Sequence, residues 1–285
     1  MAQFTNRAQL SYNDSVVNSN VVVGEILEAF SAAKNAVMDS YTRNDDVTYV
    51  ISLVNSGATA LSGVSISDDL GGYDFGEETL YPLSYVEGSV LLYINGVLQT
   101  APAVTAGQPL TFSGITIPAN ANMLLIYEAR TTRFAPLGQG TEIVNTATIS
   151  GSGISTPITV SEIVTPAQEP ELTITKSIEP VPVTENGTLT YRFVIQNYGN
   201  TAAEAEDNVA VTDIFDPALD NLTVTFNGIT WAMGTEYNYN AAEGEFTTVP
   251  GQITVPAATY AQDPESGAWV ITPGVSTLVV SGTII

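Results

Sequence analysis

The chain has no cysteine and no histidine among its 285 residues. Without cysteine no disulfide can stabilise it and no thiol can act as a nucleophile. Without histidine, the Ser-His-Asp and Cys-His forms of catalysis are closed to it, as are the usual zinc sites. Lysine is almost missing too: Lys34 and Lys176 are the only two. Basic residues total 7 against 30 acidic ones, a formal net charge of −23. That balance argues against nucleic acid as a partner, because phosphate binding needs clustered Lys and Arg, and equally against an anionic membrane surface. No run is long and apolar enough to span a bilayer. There is no Gly-rich phosphate loop and no Asp-x-Asp-x-Asp-Gly calcium loop. The acidic pairs Asp45-Asp46 and Glu77-Glu78 read as solvated faces, and Trp231 and Trp269 as packing residues rather than a sugar platform. No enzyme active site, cofactor or metal is expected.

What is present is strand-forming. Hydrophobic residues make up 44% of the chain, enough for two packed cores, and 13 tyrosines accompany Val, Ile, Thr and Ser. An internal repeat decides for two domains. The offset that separates Lys34 from Lys176 also relates Tyr49 to Tyr191, Asn55 to Asn197 and Gly57 to Gly199. Acidic surfaces normally carry lysines for solubility. A lysine kept at one place per repeat, in a chain that otherwise avoids it, points to chemistry rather than solvation.

Alternating segments predict strands over 47–54, 64–68, 90–94, 115–117 and 123–131 in the first repeat. Their counterparts lie at 189–195, 209–213, 223–226, 253–255 and 277–285, with a further strand over 269–272. Asn95-Gly96 and Asn227-Gly228 are hairpin turns. Residues 25–37 have room for a helical turn or two. The expected fold is all-β: two tandem immunoglobulin-like antiparallel sandwiches. The parts are an arm over 1–26, a complete domain over 27–165, a Pro-rich linker over 166–170 and a second domain over 171–285.

The repeats differ at their ends. The first closes with a hairpin over 143–150 and 158–163, which the second lacks. A similar hairpin stands at the N-terminus, where Asn6 aligns with Asn145 and Glu25 with Glu162. A sandwich without its closing hairpin exposes unpaired backbone groups and an open core. The arm of a neighbouring copy can fill that place, giving donor-strand complementation through Phe4, Ala8, Leu10, Val21 and Val23. Folding of the arm back onto its own second domain, or a disordered tail, is the alternative; the stretch 28–33 is short for the first of these. The N-terminal residues lack the basic and apolar regions of a signal peptide, so either a signal has been cleaved or export takes another route.

The segments ending at Lys176, Tyr191, Asn197-Tyr198-Gly199 and Asp213, with Asn145-Thr146-Ala147-Thr148 closing the complete copy, resemble the conserved-repeat surface domain called domain of unknown function eleven. That domain is similar to bacterial pilin and collagen-adhesin modules. The resemblance implies a lysine–asparagine isopeptide bond formed beside a buried acid: Lys34 with Asn145 inside the first domain, and Lys176 with Asn6 of the next copy. Asp68 and Asp213 are the candidate acids because both repeats have them. Glu128 is a rival in the first domain, and Asp69 is another if the register shifts by one. The expected role is a structural subunit of an extracellular filament, a pilus-like fibre or spore appendage on a cell or spore surface, whose partners are copies of itself. The alternative is a surface adhesin that binds a glycan or protein.

Overall fold

The structure, a computed structural model, describes residues 2–26 and 30–285. Among these the only helical element is one 3-10 turn at Ala205–Asp207; the rest is strand and turn. The arm comprises β1 (Ala2–Asn6), β2 (Gln9–Tyr12), β3 (Ser15–Asn18) and β4 (Val22–Ile26). β1 pairs with β4 and β2 with β3, all antiparallel. Asn13 and Asp14 at the tip both have positive φ, as a turn matched to strand twist requires. The arm's strands pair only with one another. It is therefore neither laid onto its own second domain nor left without structure: it is a formed hairpin whose strands, among the described residues, pair with neither sandwich. Phe4, Leu10, Tyr12, Val16, Val17, Val21, Val22 and Val23 are all at least half exposed on it.

The first sandwich follows with β5 (Phe30–Ala36), β6 (Ser40–Tyr41), β7 (Asp46–Asn55) and β8 (Leu61–Asp68). Next come a small hairpin of β9 (Tyr73–Phe75) and β10 (Glu78–Leu80), then β11 (Leu83–Tyr85), β12 (Leu91–Ile94), β13 (Val97–Leu98) and β14 (Ala103–Thr105). β15 (Leu110–Ile117), β16 (Ala121–Thr131), β17 (Ile143–Ser152) and β18 (Ile158–Pro166) complete it. One sheet runs β13-β12-β16-β7-β5, with β11 also on β16; the other runs β14-β15-β8-β17-β18-β6. Every pairing is antiparallel except the short β18–β6 contact. Alternation along β7 and β16 turns Tyr49, Ile51, Leu53, Met123, Leu125 and Tyr127 inward, where all are buried.

The second sandwich consists of β19 (Leu172–Glu179), β20 (Thr188–Asn197), β21 (Thr212–Ile214), β22 (Leu219–Phe226), β23 (Ile229–Trp231), β24 (Tyr237–Asn240), β25 (Glu245–Thr248) and β28 (Gly274–Ile284), with a hairpin of β26 (Thr259–Gln262) and β27 (Trp269–Thr272) inserted before the last strand. Its sheets run β19-β20-β28-β22-β23 and β21-β25-β24. The inserted hairpin reaches back to the first sandwich. Trp269 N donates to the Arg133 carbonyl at 2.9 Å, and Gln262 Nε2 donates to the Tyr73 hydroxyl at 3.1 Å. Gly267, with φ of 67°, lies so close to Leu80 that a Cβ there would collide with it.

Equivalent rungs show what the second sandwich is missing. Asp68 faces Leu110 and Asp213 faces Phe246, so β8 corresponds to β21 and β15 to β25. β8 is paired on both edges, by β15 and by β17. β21 is paired on one, and among the described residues nothing pairs with the other. One-sided pairing explains why the expected strand over 209–213 shortens to Thr212–Ile214, although Val211 still accepts from Thr248 N at 2.9 Å. The expected strand at 253–255 is likewise only a bridge, Ala203 to Val255. The inner face of β19 is uncovered as well. Ile174 and Ile178 are about half exposed, whereas Ala32 and Ala36 on β5, which β18 flanks, pack against the core.

Among the described residues of 25–37 there is no helical turn. β4 and β5 occupy Val22–Ile26 and Phe30–Ala36, with 27–29 outside the described residues. The β-alternation of Phe30, Ala32, Lys34 and Ala36 against the core outweighs the local helix preference of Ala and Glu.

The repeated asparagines hold turns. Asn55 Nδ2 donates to the Thr59 and Pro118 carbonyls and its Oδ1 accepts from Gly57 N. Asn197 does the same with Thr201 and Gly199, and also caps Glu171 N. Both side chains are buried. Asn55→Ala removes these bonds and strands their partners, so denaturant unfolding should show a loss of ~3 kcal/mol. A loss below about 1 kcal/mol would contradict this role.

Candidate functional site

Lys34 occupies an inward position on β5, between Ala32 and Ala36, where the pattern calls for an apolar residue. Lys34 and Asp68 side chains are both 0% exposed. Lys34 Nζ donates to Asp68 Oδ2 at 2.7 Å and lies 4.8 Å from the Tyr49 ring centre. Asp68 Oδ1 accepts from Leu70 N at 3.0 Å. Burial pulls the lysine pKa below its ordinary value, against the opposing pull of Asp68. A buried ion pair of this kind is costly to form and gives little net stability, so its presence calls for another reason.

Asn145 enters the same pocket from β17. The ladder sets Ala147 beside Asp68, and Asp69 grips the same strand by accepting from Thr146 N at 2.8 Å. Asn145 is fully buried; its Nδ2 donates to the Tyr127 hydroxyl at 3.2 Å, and its Oδ1 has no partner. Tyr127 in turn donates to Asp68 Oδ2 at 2.6 Å. The structure thus brings Lys34, Asp68 and Asn145 into one dry pocket bridged by a phenol. Glu128 is next to Tyr127 on β16 and so points to the opposite face of that sheet; Asp69 serves the backbone. Tyr127 escapes the repeat comparison because it has no equivalent. Tyr127 pairs with Tyr49, but Val280 pairs with Tyr191. The counterpart of Glu128 is accordingly Ser281, which carries no acid.

The second site has the same lysine and acid in an open setting. Lys176 meets Asp213 Oδ2 as an ion pair, with side chains 38% and 18% exposed. Its ammonium lies 4.4 Å from the Tyr191 ring centre and 5.6 Å from those of Phe193 and Phe215. Three aromatic rings around a cation favour it where it sits. No asparagine faces this pair among the described residues, because the place of β17 is unfilled.

Asn6, Phe4, Ala8, Leu10, Val21 and Val23 are all exposed on the arm. Its register departs from the expected alignment. Asn6 pairs with Val22, whereas Asn145 pairs with Glu162; Glu25 sits opposite Gln3. Cross-strand partners share a face, so Val22 and Gly24 lie with Asn6 and Phe4, and Val23 lies on the other face with Thr5. Ala8 and Val21 fall in the irregular segment between the two ladders.

No family model and no curated protein matches the chain. Among solved structures, it is similar to the pilus backbone RrgB of Streptococcus pneumoniae: 12% identity over 86% of this chain and 55% of that one, TM-score 0.35. It is also similar to a C-terminal fragment of the major pilin GBS80 of Streptococcus agalactiae: 11% identity, 87% and 91% covered, TM-score 0.35. The collagen adhesin CNA of S. aureus shares 11% identity over 52% of this chain and 55% of its own, TM-score 0.30. The chain thus spans about half the length of RrgB and of the adhesin. Likeness at this level decides nothing about function.

Asp68→Ala leaves Lys34 buried without its carboxylate. Its folded pKa then lies further below the unfolded value of 10.5, and the unfolded state binds the extra proton. Stability contributed by this group therefore rises with pH up to that value. Thermal midpoints measured across pH for Asp68→Ala, relative to Asp68→Ala/Lys34→Met, should climb on the alkaline side. A flat or falling difference would contradict the buried-lysine assignment.

Proposed function

We propose that this chain is a structural subunit of an extracellular filament, joined head-to-tail when the arm of one copy completes the second sandwich of the next. One observation carries this reading: the sheet edge that β17 and β18 occupy beside β8 is bare beside β21, while the same chain holds an unattached hairpin. Laying β1 beside β21 in the place of β17 brings Asn6 to the position of Asn145 and Phe4 to that of Ile143. Extended continuation carries Ala8 and Leu10 to the places of Ala147 and Ile149. The cross-strand pair Phe4–Gly24, a ring over a residue with no side chain, then stands where Ile143 pairs with Val164. Large against none replaces medium against medium, which conserves volume.

Burying Phe4, Leu10 and Val22 contributes roughly 1.5–3 kcal/mol each, and closing the β21 edge adds ladder hydrogen bonds. Association costs ~4–15 kcal/mol in lost freedom, so packing alone makes a joint of moderate strength. A covalent bond makes it permanent. The acceptor pair Lys176–Asp213 awaits the carboxamide of Asn6, as Lys34–Asp68 has that of Asn145 in its own pocket, linked through Tyr127. Bond formation between the lysine amine and the asparagine carbonyl carbon, with loss of ammonia, turns a buried charge into a neutral amide. The contact joins different surfaces of the two copies, so it propagates as a filament unless a ring closes.

Purified subunits should form filaments in negative stain and boiling-resistant ladders on denaturing gels. Lys176→Ala should keep the filaments but lose the ladders, and deletion of residues 2–24 should leave monomers. Full-length chain that stays monomeric at high concentration would overturn the proposal.

A further inference from the structure

We infer that Tyr127 is a catalytic residue of the internal bond, carrying a proton from Asp68 to the departing nitrogen of Asn145. This rests on the proposed Lys34–Asn145 bond and assigns it a group that repeat symmetry does not reveal. The tyrosine hydroxyl links acid and amide directly: 2.6 Å to Asp68 Oδ2 and 3.2 Å to Asn145 Nδ2. Tyr127 is fully buried, stacked 5.5 Å from Tyr49 and tilted 5.2 Å from Phe112, so its oxygen is held in place. The hydrogen-bond directions fix the chain of contacts. An ionised Asp68 only accepts, so the single phenolic proton points to it, and the phenolic oxygen must accept from the asparagine N–H. The leaving nitrogen is therefore the atom that touches the phenol.

One proton passes from the Lys34 ammonium to Asp68, leaving a neutral amine beside a neutral acid. The amine lone pair attacks Cγ of Asn145, the Nζ–Cγ bond forms, and the carbonyl becomes a tetrahedral adduct in which Nδ2 carries a lone pair. Asp68 gives its proton to the Tyr127 oxygen while Tyr127 gives its own to Nδ2, and Asp68 takes a proton from the attacking nitrogen. The Cγ–Nδ2 bond breaks, ammonia leaves, and the products are the amide and a protonated Asp68. Burial keeps the phenol protonated throughout, pushing its pKa well above the ordinary value.

Tyr49 provides the comparison. It is as buried as Tyr127 and stacks on it, but its hydroxyl faces Asn145 without bonding to Asp68, so it has no proton to take from the acid. The test uses full-length chain recovered unfolded from inclusion bodies, diluted to refold, and sampled over time for intact mass. Every sample carries Lys176→Ala, so any ammonia loss belongs to the first sandwich. Tyr127→Phe should slow ammonia loss by about 10²-fold or more, and Tyr49→Phe, which keeps the stacked ring and the acid-to-amide link, should slow it far less. An unchanged rate in Tyr127→Phe overturns the relay while leaving the bond standing. No ammonia loss in the parent chain removes the bond itself and the relay with it. If Tyr127→Phe does not fold, parent chain made with fluorotyrosine takes its place: a more acidic phenol should alter the rate, and an unaltered rate overturns the relay.

Discussion

A strand in the middle of a sandwich has two edges, and each edge is a row of N–H and C=O groups that must find partners. In the first sandwich β8 meets this condition with β15 on one side and β17 on the other. In the second, β21 meets it on one side only. Three asymmetries of the molecule follow from that difference. Ile174 and Ile178 stay half exposed because no hairpin covers β19, the strand at 209–213 shrinks, and the Lys176–Asp213 pair stays within reach of solvent.

The two lysine–aspartate pairs are the same device in two surroundings. Around Lys34 the side chains of β16 and β17 close the pocket, water is excluded, and desolvation lowers the lysine pKa. Around Lys176 the pocket is a three-ring aromatic cage with an open side. In the proposed assembly, a reaction that needs a neutral amine in dry surroundings is thereby tied to arrival of the missing strand. An acceptor that stays solvated until its donor docks is protected from reacting with the wrong partner. Cysteine-free chains have no disulfide to lock such a joint; in the proposed filament the amide bond between side chains takes that role.

Much of this was legible in the sequence, for reasons of period. Strand alternation located the long strands, Asn-Gly pairs located two hairpins that have positive φ at both turn residues, and the scarcity of lysine singled out Lys34 and Lys176. The equivalence of Asp68 and Asp213 came from the repeat. Other features left no such trace. Tyr127 is one inward aromatic among many on β16, and its hydroxyl contacts depend on three-dimensional closure. The arm's register slipped from the expected alignment because Asn6 pairs with Val22, leaving the segment between its two ladders irregular. The shift is three residues, Asn6 facing Val22 instead of Glu25, and an odd change of register moves a side chain to the other face, so Val23 and Val22 exchange places relative to Phe4. The clasp formed by β26 and β27 on the first sandwich has no counterpart in the other repeat.

The central claim is that the bare edge of β21 takes up the arm of another copy. The most direct measurement is hydrogen exchange of the backbone amides over 209–214 in chain lacking residues 2–26, with and without a synthetic peptide of that sequence. Completion of the sandwich predicts strong slowing of exchange there when the peptide is added, with little change in β8 of the first sandwich. Exchange over 209–214 that is equally fast with and without saturating peptide would contradict the account.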